Sequence, residues 1–423
     1  MVSVRVITLG CSKNTVDTEH LLACLSHDRF EVLDEGPSDV LLVNTCGFIG
    51  DAKEESIAAI FDAIEAKKRG EAGRVVVFGC LSQRYEKELR EEIPEVDAWF
   101  GARDLAPVLE YLGAPSPHDY DVRRRSSSAG YAYLKISEGC DRRCSYCAIP
   151  FIRGAHKSVP VEVLVREARS LAREGVKELI LIAQDTTYYG LDLYGRRSLA
   201  DLIRALSGID GIEWIRIHYS YPAAFPQDVL DEMASNPKVC KYLDIPLQHV
   251  SDKVLSNMHR GVDGAWTREL IAKLRREVPG VVLRTTMIVG HPGEGEEEFT
   301  ELLDFVREAR FERLGAFTYS EEEGTWGAAN LEDDVPQVEK SRRFDALMSL
   351  QSSISSSFNQ SRVGTVERVI VDGFSGDTLV CRSQYESPEV DGEILVKGSA
   401  PVGTFLTVRI VAADEYDLAA EIV

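Results

Sequence analysis

Apolar strand-like runs alternate with amphipathic helical stretches along most of this 423-residue chain, and this alternation restricts the fold more than any other feature. Strands separated by helices are joined by right-handed crossovers, which give parallel sheets whose strand carboxyl ends share one edge. In the first hundred residues the pattern occurs three times, with runs at 4–10, 40–45 and 74–79. The sequence therefore predicts an α/β protein that opens with a parallel α/β domain, placed at residues 1–114.

A linker and two further domains are predicted after this first domain. Residues 115–130 are rich in Pro, Ser and clustered charge, which is typical of a linker. Six strand candidates separated by helices follow, then a long helix from Gln337, so residues 131–358 are expected to form an incomplete β/α barrel with its chemistry at the strand carboxyl ends. Short β-rich runs parted by Gly, Asp and Pro predict a small closed β-barrel at residues 359–423.

The composition limits the class of partner. Asp and Glu number 69 against 48 Lys and Arg, giving a formal charge of -21, and such a surface repels phosphate backbones unless basic residues cluster. No signal peptide and no stretch of membrane-spanning length is seen, so a cytoplasmic protein without a membrane partner is expected. Nine cysteines are an odd count, and a reducing compartment favours metal or catalytic roles for them over disulfides.

Three cysteines with the spacing C-x3-C-x2-C lie directly after the strand candidate AYLKISEG. Cys140, Cys144 and Cys147 can hold three irons of a 4Fe-4S cube, which normally takes four cysteines, so one iron stays open to another ligand. The alternative is a structural zinc site, which needs a fourth protein ligand, and the nearest candidate, His156, would have to fold back. The pattern favours a catalytic iron-sulfur cluster.

Three further cysteines, Cys11, Cys46 and Cys80, each end one of the first three strand candidates, so a parallel sheet would bring them to one edge. Three buried free thiols are the alternative. Small or polar neighbours leave backbone space for a second three-cysteine cluster, which we favour: Gly10, Thr45, Gly47 and Gly79. The remaining cysteines lack partners at ligand spacing and are predicted to be core or surface thiols: Cys24, Cys240 and Cys381.

The loop of Cys140, with Tyr146 beside its last cysteine, resembles that of the radical S-adenosylmethionine superfamily. The resemblance implies that S-adenosylmethionine chelates the open iron and that an electron from the cluster cleaves its sulfonium, giving a 5'-deoxyadenosyl radical. It also implies cofactor contacts at the end of the second barrel strand and in the segment TTMIVGHPGE, so the cofactor-binding candidates are Tyr146, Gln184, Asp185, Ile288 and Gly290. A polar residue at a strand end is as often a cap.

The three-part organisation resembles the methylthiotransferases, whose terminal module is called TRAM. The resemblance implies two 4Fe-4S clusters, of which the second supplies sulfur through its open iron. It also implies that one S-adenosylmethionine supplies the methyl group and another the radical. An electron donor such as flavodoxin or ferredoxin is implied as a partner, and a monomer is expected.

Two branches of that family differ in substrate: MiaB-like enzymes modify adenosine in tRNA, whereas RimO-like enzymes modify the β-carbon of an aspartate in small-subunit ribosomal protein S-twelve. The segments LGCSKNTVDTEH, NTCGFI, SEGCDRRCSYCAIPFIRG, AQDTTYYG and PLQHVSDKVLSNMHRG resemble the RimO branch.

The terminal module has five basic and eleven acidic residues, which favours a basic ribosomal protein over tRNA. We expect docking carboxylates at Asp391, Glu393, Asp414 and Glu415. The alternative of another class, a two-cluster redox sensor or electron carrier, predicts fully ligated clusters, whereas both trios lack a fourth cysteine.

Overall fold

The computed structural model describes residues 1–25, 29–115, 122–126 and 130–423. These residues belong to two compact units: the first comprises residues 1–127, 137–142 and 147–170, and the second comprises 128–136, 143–146 and 171–423. Most of the predicted linker, at 116–121 and 127–129, lies outside the described residues. Within them, none of the helices is long and apolar enough to cross a membrane.

The strands are numbered in chain order. They are β1 Val2–Thr8, β2 Phe30–Val32, β3 Ser38–Thr45, β4 Ala72–Gly79, β5 Ala98–Trp99, β6 Tyr131–Lys135, β7 Ser137–Glu138, β8 Lys157–Ser158, β9 Glu178–Ile182, β10 Trp214–Ile217, β11 Val239–Asp244, β12 Val282–Val289, β13 Arg313–Thr318, β14 Val366–Ser375, β15 Thr378–Arg382, β16 Ile394–Lys397, β17 Phe405–Ala413 and β18 Leu418–Ile422.

The helices are numbered in the same way. They are α1 Ser12–Leu25, α2 Gly50–Lys68, α3 Cys80–Glu92, α4 Ala106–Leu112, α5 Ile149–Arg153, α6 Val161–Arg173, α7 Leu191–Tyr194, α8 Leu199–Ser207, α9 Gln227–Ser235, α10 Asp252–Asn257, α11 Gly264–Glu277, α12 Glu296–Ala309, α13 Trp326–Asn330 and α14 Gln337–Ser361, with a 3-10 helix at Thr186–Tyr188.

The first unit is built on a five-stranded parallel sheet in the order β2-β1-β3-β4-β5. Its three central strands are those that the sequence predicts, and the short β2 and β5 extend it at the two edges. Residues 40–43 of β3 are fully buried because apolar clusters pack on both faces of the sheet. The predicted parallel α/β domain is therefore confirmed.

The second unit contains an open sheet of six parallel strands in the order β13-β12-β11-β10-β9-β6. The strands of this sheet lie in their order along the chain, and β7 and β8, which come between β6 and β9 in sequence, pair in a separate two-stranded sheet. The predicted incomplete β/α barrel is confirmed. Its long last helix, α14, extends to Ser361, so the predicted boundary at 358/359 falls inside that helix.

The same unit ends in a closed five-stranded barrel in the order β14-β15-β16-β18-β17. Its interior is filled by alternating apolar residues such as Val369, Val371 and Ile410, all fully buried. The predicted closed barrel is confirmed, with a fifth strand, β18, that the sequence analysis did not identify. Parallel pairing of β18 with β16 and antiparallel pairing with β17 close the barrel.

The expectation that Asp391 is a docking carboxylate is wrong. Its side chain is 3% exposed and accepts hydrogen bonds from the Tyr242 hydroxyl at 2.7 Å and the Ser387 amide at 2.9 Å. A buried carboxylate held by two donors stabilises the unit and is not available to a partner. Glu393 and Asp414 are exposed and Glu415 is half-buried.

The three cysteines predicted to lack ligand roles lie in the apolar cores. Cys240 and Cys381 are buried, and burial raises the pKa of each thiol to about 12. Cys24 is half-buried against the core of the first unit. At these positions the three cysteines pack as small apolar residues.

Candidate active site

Cys11, Cys46 and Cys80 follow three neighbouring strands of the first unit, β1, β3 and β4. Because the strands are parallel, their carboxyl ends lie at the same edge of the sheet, and the three thiols come close enough to influence one another electrostatically. Cys11 is exposed, whereas Cys46 and Cys80 are buried. The structure thus brings together the three strand-end cysteines that the sequence singled out.

Two glycines allow the cysteine loops to approach so closely. Gly10 has φ +90°, and a Cβ there would lie 2.8 Å from the Cβ of Cys46 and 3.0 Å from its Sγ. Gly79 has φ +110°, and a Cβ there would lie 2.6 Å from the carbonyl oxygen of Thr45. Both positions need glycine for backbone conformation and for space, because an added methyl group at either one would collide with the neighbouring strand end or its cysteine.

The protonation of the three thiols differs because their surroundings differ. The surrounding protein desolvates Cys11, which would raise its pKa, but Lys13, Arg153 and nearby backbone amides outweigh this and lower it. Burial raises the pKa of Cys46, and burial raises that of Cys80 to about 11. The positive charge of Arg153 opposes the rise at both buried thiols.

Arg153 is a residue of this site that the sequence analysis did not single out, although it quoted the segment that contains it. It ends the short helix α5, and its Nε donates to the Cys80 Sγ at 3.2 Å. Its Nη2 donates to Asn14 Oδ1 at 2.6 Å. No sequence signal pointed to it, because an arginine beside apolar residues is mostly exposed in proteins.

The loop of Cys140, Cys144 and Cys147 divides between the two units, so its parts are described separately. In the first unit the Cys140 amide donates to the Gly154 carbonyl at 3.0 Å, and the His156 amide donates to Asp141 Oδ1 at 2.9 Å. The His156 ring shares a hydrogen bond of 3.0 Å with the Ser158 hydroxyl. The beginning of the loop is therefore fixed by backbone and carboxylate contacts.

In the second unit Arg260 contacts the central cysteine of this loop. Its Nη1 donates to the Cys144 Sγ at 3.4 Å, its Nη2 donates to the Pro246 carbonyl at 2.6 Å, and its guanidinium lies 4.2 Å from the centre of the Tyr221 ring. The Ser145 amide donates to the Met258 carbonyl at 3.1 Å. Arg260 was not predicted as a site residue.

The described residues include no group of three or more His, Cys, Asp or Glu that could hold a single metal ion. A four-iron cluster is wider than one ion, so its thiolates stand further apart around it. The three thiols of Cys11, Cys46 and Cys80 and the N–H group that Arg153 directs at Cys80 fit such a cluster.

The predicted cofactor-binding residues all belong to the second unit. Tyr146 lies edge-on to the His291 ring, with centroids 6.3 Å apart, and Gln184 is half-buried just after β9. Asp185 is buried and caps the 3-10 helix, because its Oδ1 accepts from the Thr187 amide at 2.9 Å and from the Thr187 hydroxyl at 2.6 Å. Asp185 thus has the capping role that is common at strand ends.

The two candidates on the segment that ends β12 have their amides engaged within the protein. The Ile288 amide donates to the Gln248 carbonyl at 2.8 Å, and the Gly290 amide donates to Glu294 Oε2 at 3.0 Å. Glu294 is itself held by Arg343 at 2.8 Å. Any cofactor contact from this segment therefore involves groups other than these two amides.

Comparison with known proteins gives a match for each part of this architecture. Residues 134–306 match the radical SAM superfamily, residues 3–101 match the uncharacterized protein family UPF0004, and residues 363–423 match the TRAM domain. The class is therefore that of radical SAM proteins with an N-terminal UPF0004 domain and a C-terminal TRAM domain.

Curated relatives specify the family. The chain is 49% identical to the ribosomal protein uS12 methylthiotransferase RimO of Christiangramia forsetii, over 99% of this chain and 94% of the relative. It is 48% identical to that of Phocaeicola vulgatus and 49% identical to that of Porphyromonas gingivalis, in each case over 99% of both chains. The chain belongs to the RimO family of ribosomal protein uS12 methylthiotransferases.

Solved structures agree on the fold. The methyltransferase TsrM from Kitasatospora setae, a radical S-adenosylmethionine enzyme solved with cobalamin and a [4Fe-4S] cluster, superposes with a TM-score of 0.57 at 16% identity, over 75% of this chain and 74% of that one. The cobalamin-dependent S-adenosylmethionine radical enzyme OxsB superposes with a TM-score of 0.51 at 13% identity, over 84% of this chain and 56% of that one. At such identities the likeness concerns the fold alone.

Proposed function

We propose that the chain transfers a methylthio group to the β-carbon of an aspartate in ribosomal protein uS12. The observation that carries this proposal is the meeting of Cys11, Cys46 and Cys80 at one sheet edge, in a chain that also has the cysteine loop of a radical SAM domain. An electron carrier has no need of two incompletely ligated sites, whereas a sulfur-inserting enzyme has a use for both.

The residues of each site are assigned by their chemistry. Cys140, Cys144 and Cys147 hold one 4Fe-4S cluster, and Cys11, Cys46 and Cys80 hold a second. When bound, the first cluster and S-adenosylmethionine supply radical chemistry and the second supplies the transferred sulfur. Tyr146, Gln184, Ile288 and Gly290 line the cofactor site, and Asp185 supports it by fixing the chain after β9.

The residues around the thiols prepare them as ligands. A thiol must lose its proton to bind iron, and Lys13 and Arg153 favour the thiolate of Cys11. Arg260 donates to the Cys144 sulfur and is itself held by the Pro246 carbonyl, so the central cysteine of the loop is oriented before a cluster binds.

The acidic terminal barrel supports a basic protein substrate over tRNA. Arg362 and Arg382 are buried and paired with Glu386 and Asp372, so they do not offset the exposed carboxylates of the barrel. A ribosomal protein substrate also places the enzyme in the cytoplasm, with flavodoxin or ferredoxin as electron donor. We propose that it acts as a monomer, with domains at residues 1–114, 131–358 and 359–423 joined by a linker at 115–130.

The test is an anaerobic assay of the reconstituted chain with reductant, S-adenosylmethionine and purified uS12, followed by mass spectrometry of the protein and of small products. The wild type should form 5'-deoxyadenosine and add one methylthio group to an aspartate. The triple variant Cys11→Ala, Cys46→Ala, Cys80→Ala should still cleave S-adenosylmethionine but add no methylthio group.

Three outcomes would contradict this proposal. Formation of the methylthio product by the triple variant would show that the N-terminal cysteines do not form the sulfur-donating site. Modification of tRNA in place of uS12 would favour the MiaB-like alternative. An absence of S-adenosylmethionine cleavage by reduced wild type would favour the redox alternative.

A further inference from the structure

Arg153 makes contact with the N-terminal cysteine site through a fully engaged guanidinium. Its side chain is 2% exposed. The Nε donates to Cys80 Sγ at 3.2 Å, the Nη2 donates to Asn14 Oδ1 at 2.6 Å, and the Nη1 lies 2.7 Å from Asp17 Oδ2 and 3.1 Å from Glu138 Oε2. The planar fork is thus fixed from several sides, because each direction of donation meets an acceptor.

Asn14 extends this contact to the other two cysteine loops. Its side chain is fully buried, and its Nδ2 donates to the carbonyl of Leu9 at 2.7 Å and to that of Thr45 at 3.2 Å. Leu9 lies two residues before Cys11, and Thr45 directly precedes Cys46. Arg153 therefore reaches all three cysteine loops, directly at Cys80 and through one amide side chain at the others.

We propose that Arg153 is a positioning residue that holds the three N-terminal cysteines in place and raises the reduction potential of the cluster they bind. This inference rests on the proposed second cluster. A hydrogen bond to a ligand sulfur and a nearby positive charge both favour the reduced cluster, which carries one more negative charge. Removing them should therefore make the cluster harder to reduce.

The competing explanation is that Arg153 is only a buried partner for Asp17 and Glu138. Arg153→Met removes the charge and every hydrogen bond. Arg153→Lys keeps a charge that can pair with Asp17 but lacks the planar fork that serves Cys80 and Asn14 at once. Arg103→Met is the matched control, because Arg103 donates to the backbone carbonyls of Phe151 and Ile152 on the same helix α5.

The experiment uses the full chain with Cys140, Cys144 and Cys147 replaced by Ala, so that only the N-terminal cluster can bind. This parent chain and its three arginine variants are reconstituted anaerobically, assayed for iron and titrated with reductant under electron paramagnetic resonance. We expect Arg153→Met to lower the ratio of reduced to oxidised cluster at a fixed potential by about tenfold, which corresponds to about 59 mV for one electron. Arg153→Lys should show a smaller fall, and Arg103→Met none.

An Arg153→Met chain with parental iron content and parental potential would overturn the proposal. If that variant holds no iron, the Arg153→Lys chain is compared with the parent. A cluster potential below that of the parent supports the proposal, and an equal potential overturns it. If neither variant holds iron, the melting temperature of the cluster-free Arg153→Lys chain decides. A melting temperature equal to that of the cluster-free parent supports the positioning role of Arg153. A lower melting temperature overturns the proposal, because it shows that Arg153 serves only as a structural ion-pair partner.

The design separates this proposal from the proposed function. A parent chain that holds no iron would mean that Cys11, Cys46 and Cys80 bind no cluster, so that the proposed second cluster fails and this inference with it. A parent chain that holds iron, with Arg153 variants of unchanged potential, would overturn the role of Arg153 alone.

Discussion

Glu178 and Arg382 form an ion pair that is almost completely buried, with Nη2 and Oε2 2.8 Å apart and side-chain exposures of 0% and 3%. Glu178 begins β9 of the six-stranded sheet, and Arg382 ends β15 of the terminal barrel. Glu178 also accepts from Arg216 Nε at 2.7 Å. Glu178 therefore pairs with two buried guanidinium groups, of which Arg382 also pairs with Asp372.

Replacing Glu178 with Gln should strongly destabilise the second unit. Arg216 would lose its paired carboxylate, Arg382 would keep only Asp372, and breaking a buried pair costs about 3 to 5 kcal/mol. The free energy of unfolding from denaturant titration measures the loss. Glu213→Gln is the control, because Glu213 pairs with Arg368 at 3.1 Å on the surface and should cost less than about 1 kcal/mol. Equal losses in the two variants would contradict this account.

The pH dependence of stability should report on Glu386. Burial opposes its ionisation, but Arg362 and Arg313 outweigh burial and lower the pKa of Glu386 to about 2, from an ordinary value of 4.5. A carboxyl whose pKa is lower in the folded state stabilises the fold above pH 4.5, and this contribution is lost as the pH falls towards 2. Wild type should therefore lose unfolding free energy more steeply than Glu386→Gln over this range. If the unfolding free energies of the two proteins fall in parallel as the pH is lowered, the ionisation of Glu386 does not cause the loss of stability.

Iron content should separate ligand cysteines from packing cysteines. Cys144→Ala should lower the iron of the reconstituted chain to about half, if the N-terminal cluster survives, and abolish cleavage of S-adenosylmethionine. Cys24→Ala is the control, since Cys24 is half-buried in the core of the first unit and should leave iron unchanged. Full iron, or retained cleavage, in Cys144→Ala would refute its assignment as a ligand.

Docking of uS12 should depend on exposed carboxylates of the terminal barrel. Neutralising four of them should weaken binding and reduce its dependence on salt, because attraction between exposed charges is screened over about 8 Å at physiological ionic strength. The four, replaced by Asn or Gln, are Asp377, Glu393, Asp414 and Glu421.

The control for docking changes the same number of charges on α12. Its exposed carboxylates are Glu297, Glu301, Asp304 and Glu308, and their replacement should leave the affinity unchanged. If wild type and the barrel variant bind uS12 with equal affinity and equal salt dependence, the barrel carboxylates do not contribute to docking and serve only to keep the protein soluble.

The fold was predictable where burial imposes a pattern on the sequence. Residues 40–43 are all apolar because β3 is covered on both faces, and a run of this kind predicts a buried parallel strand. β18 was missed because a strand of a small barrel has one side facing solvent, and its five residues, Leu418–Ile422, include two alanines and Glu421, which do not favour strands.

The candidate site was predictable for its cysteines and less so for the residues that contact them. Spacing singled out Cys140, Cys144 and Cys147, and strand-end positions singled out three further cysteines that the structure places after neighbouring strands. Arg153 and Arg260 act on these thiols from 73 and 116 residues away, a relationship that only the folded chain reveals. Asp391 was misjudged because its charge is visible in the sequence, whereas its partner Tyr242 lies 149 residues away.

The strand order of the first sheet has a consequence for how its three strand-end cysteines are held. β3 lies between β1 and β4 in continuous register, with Thr8 opposite Asn44 and Thr45 opposite Gly79, so the backbone hydrogen bonds of the sheet fix the strand ends from which the loops of Cys11, Cys46 and Cys80 start. Zinc fingers, by contrast, gain their fold from the metal. If the three cysteines hold a cluster as proposed, their positions would be set by the sheet rather than by the metal, and Cys11, the exposed one of the three, would be the thiol that iron in solution reaches first.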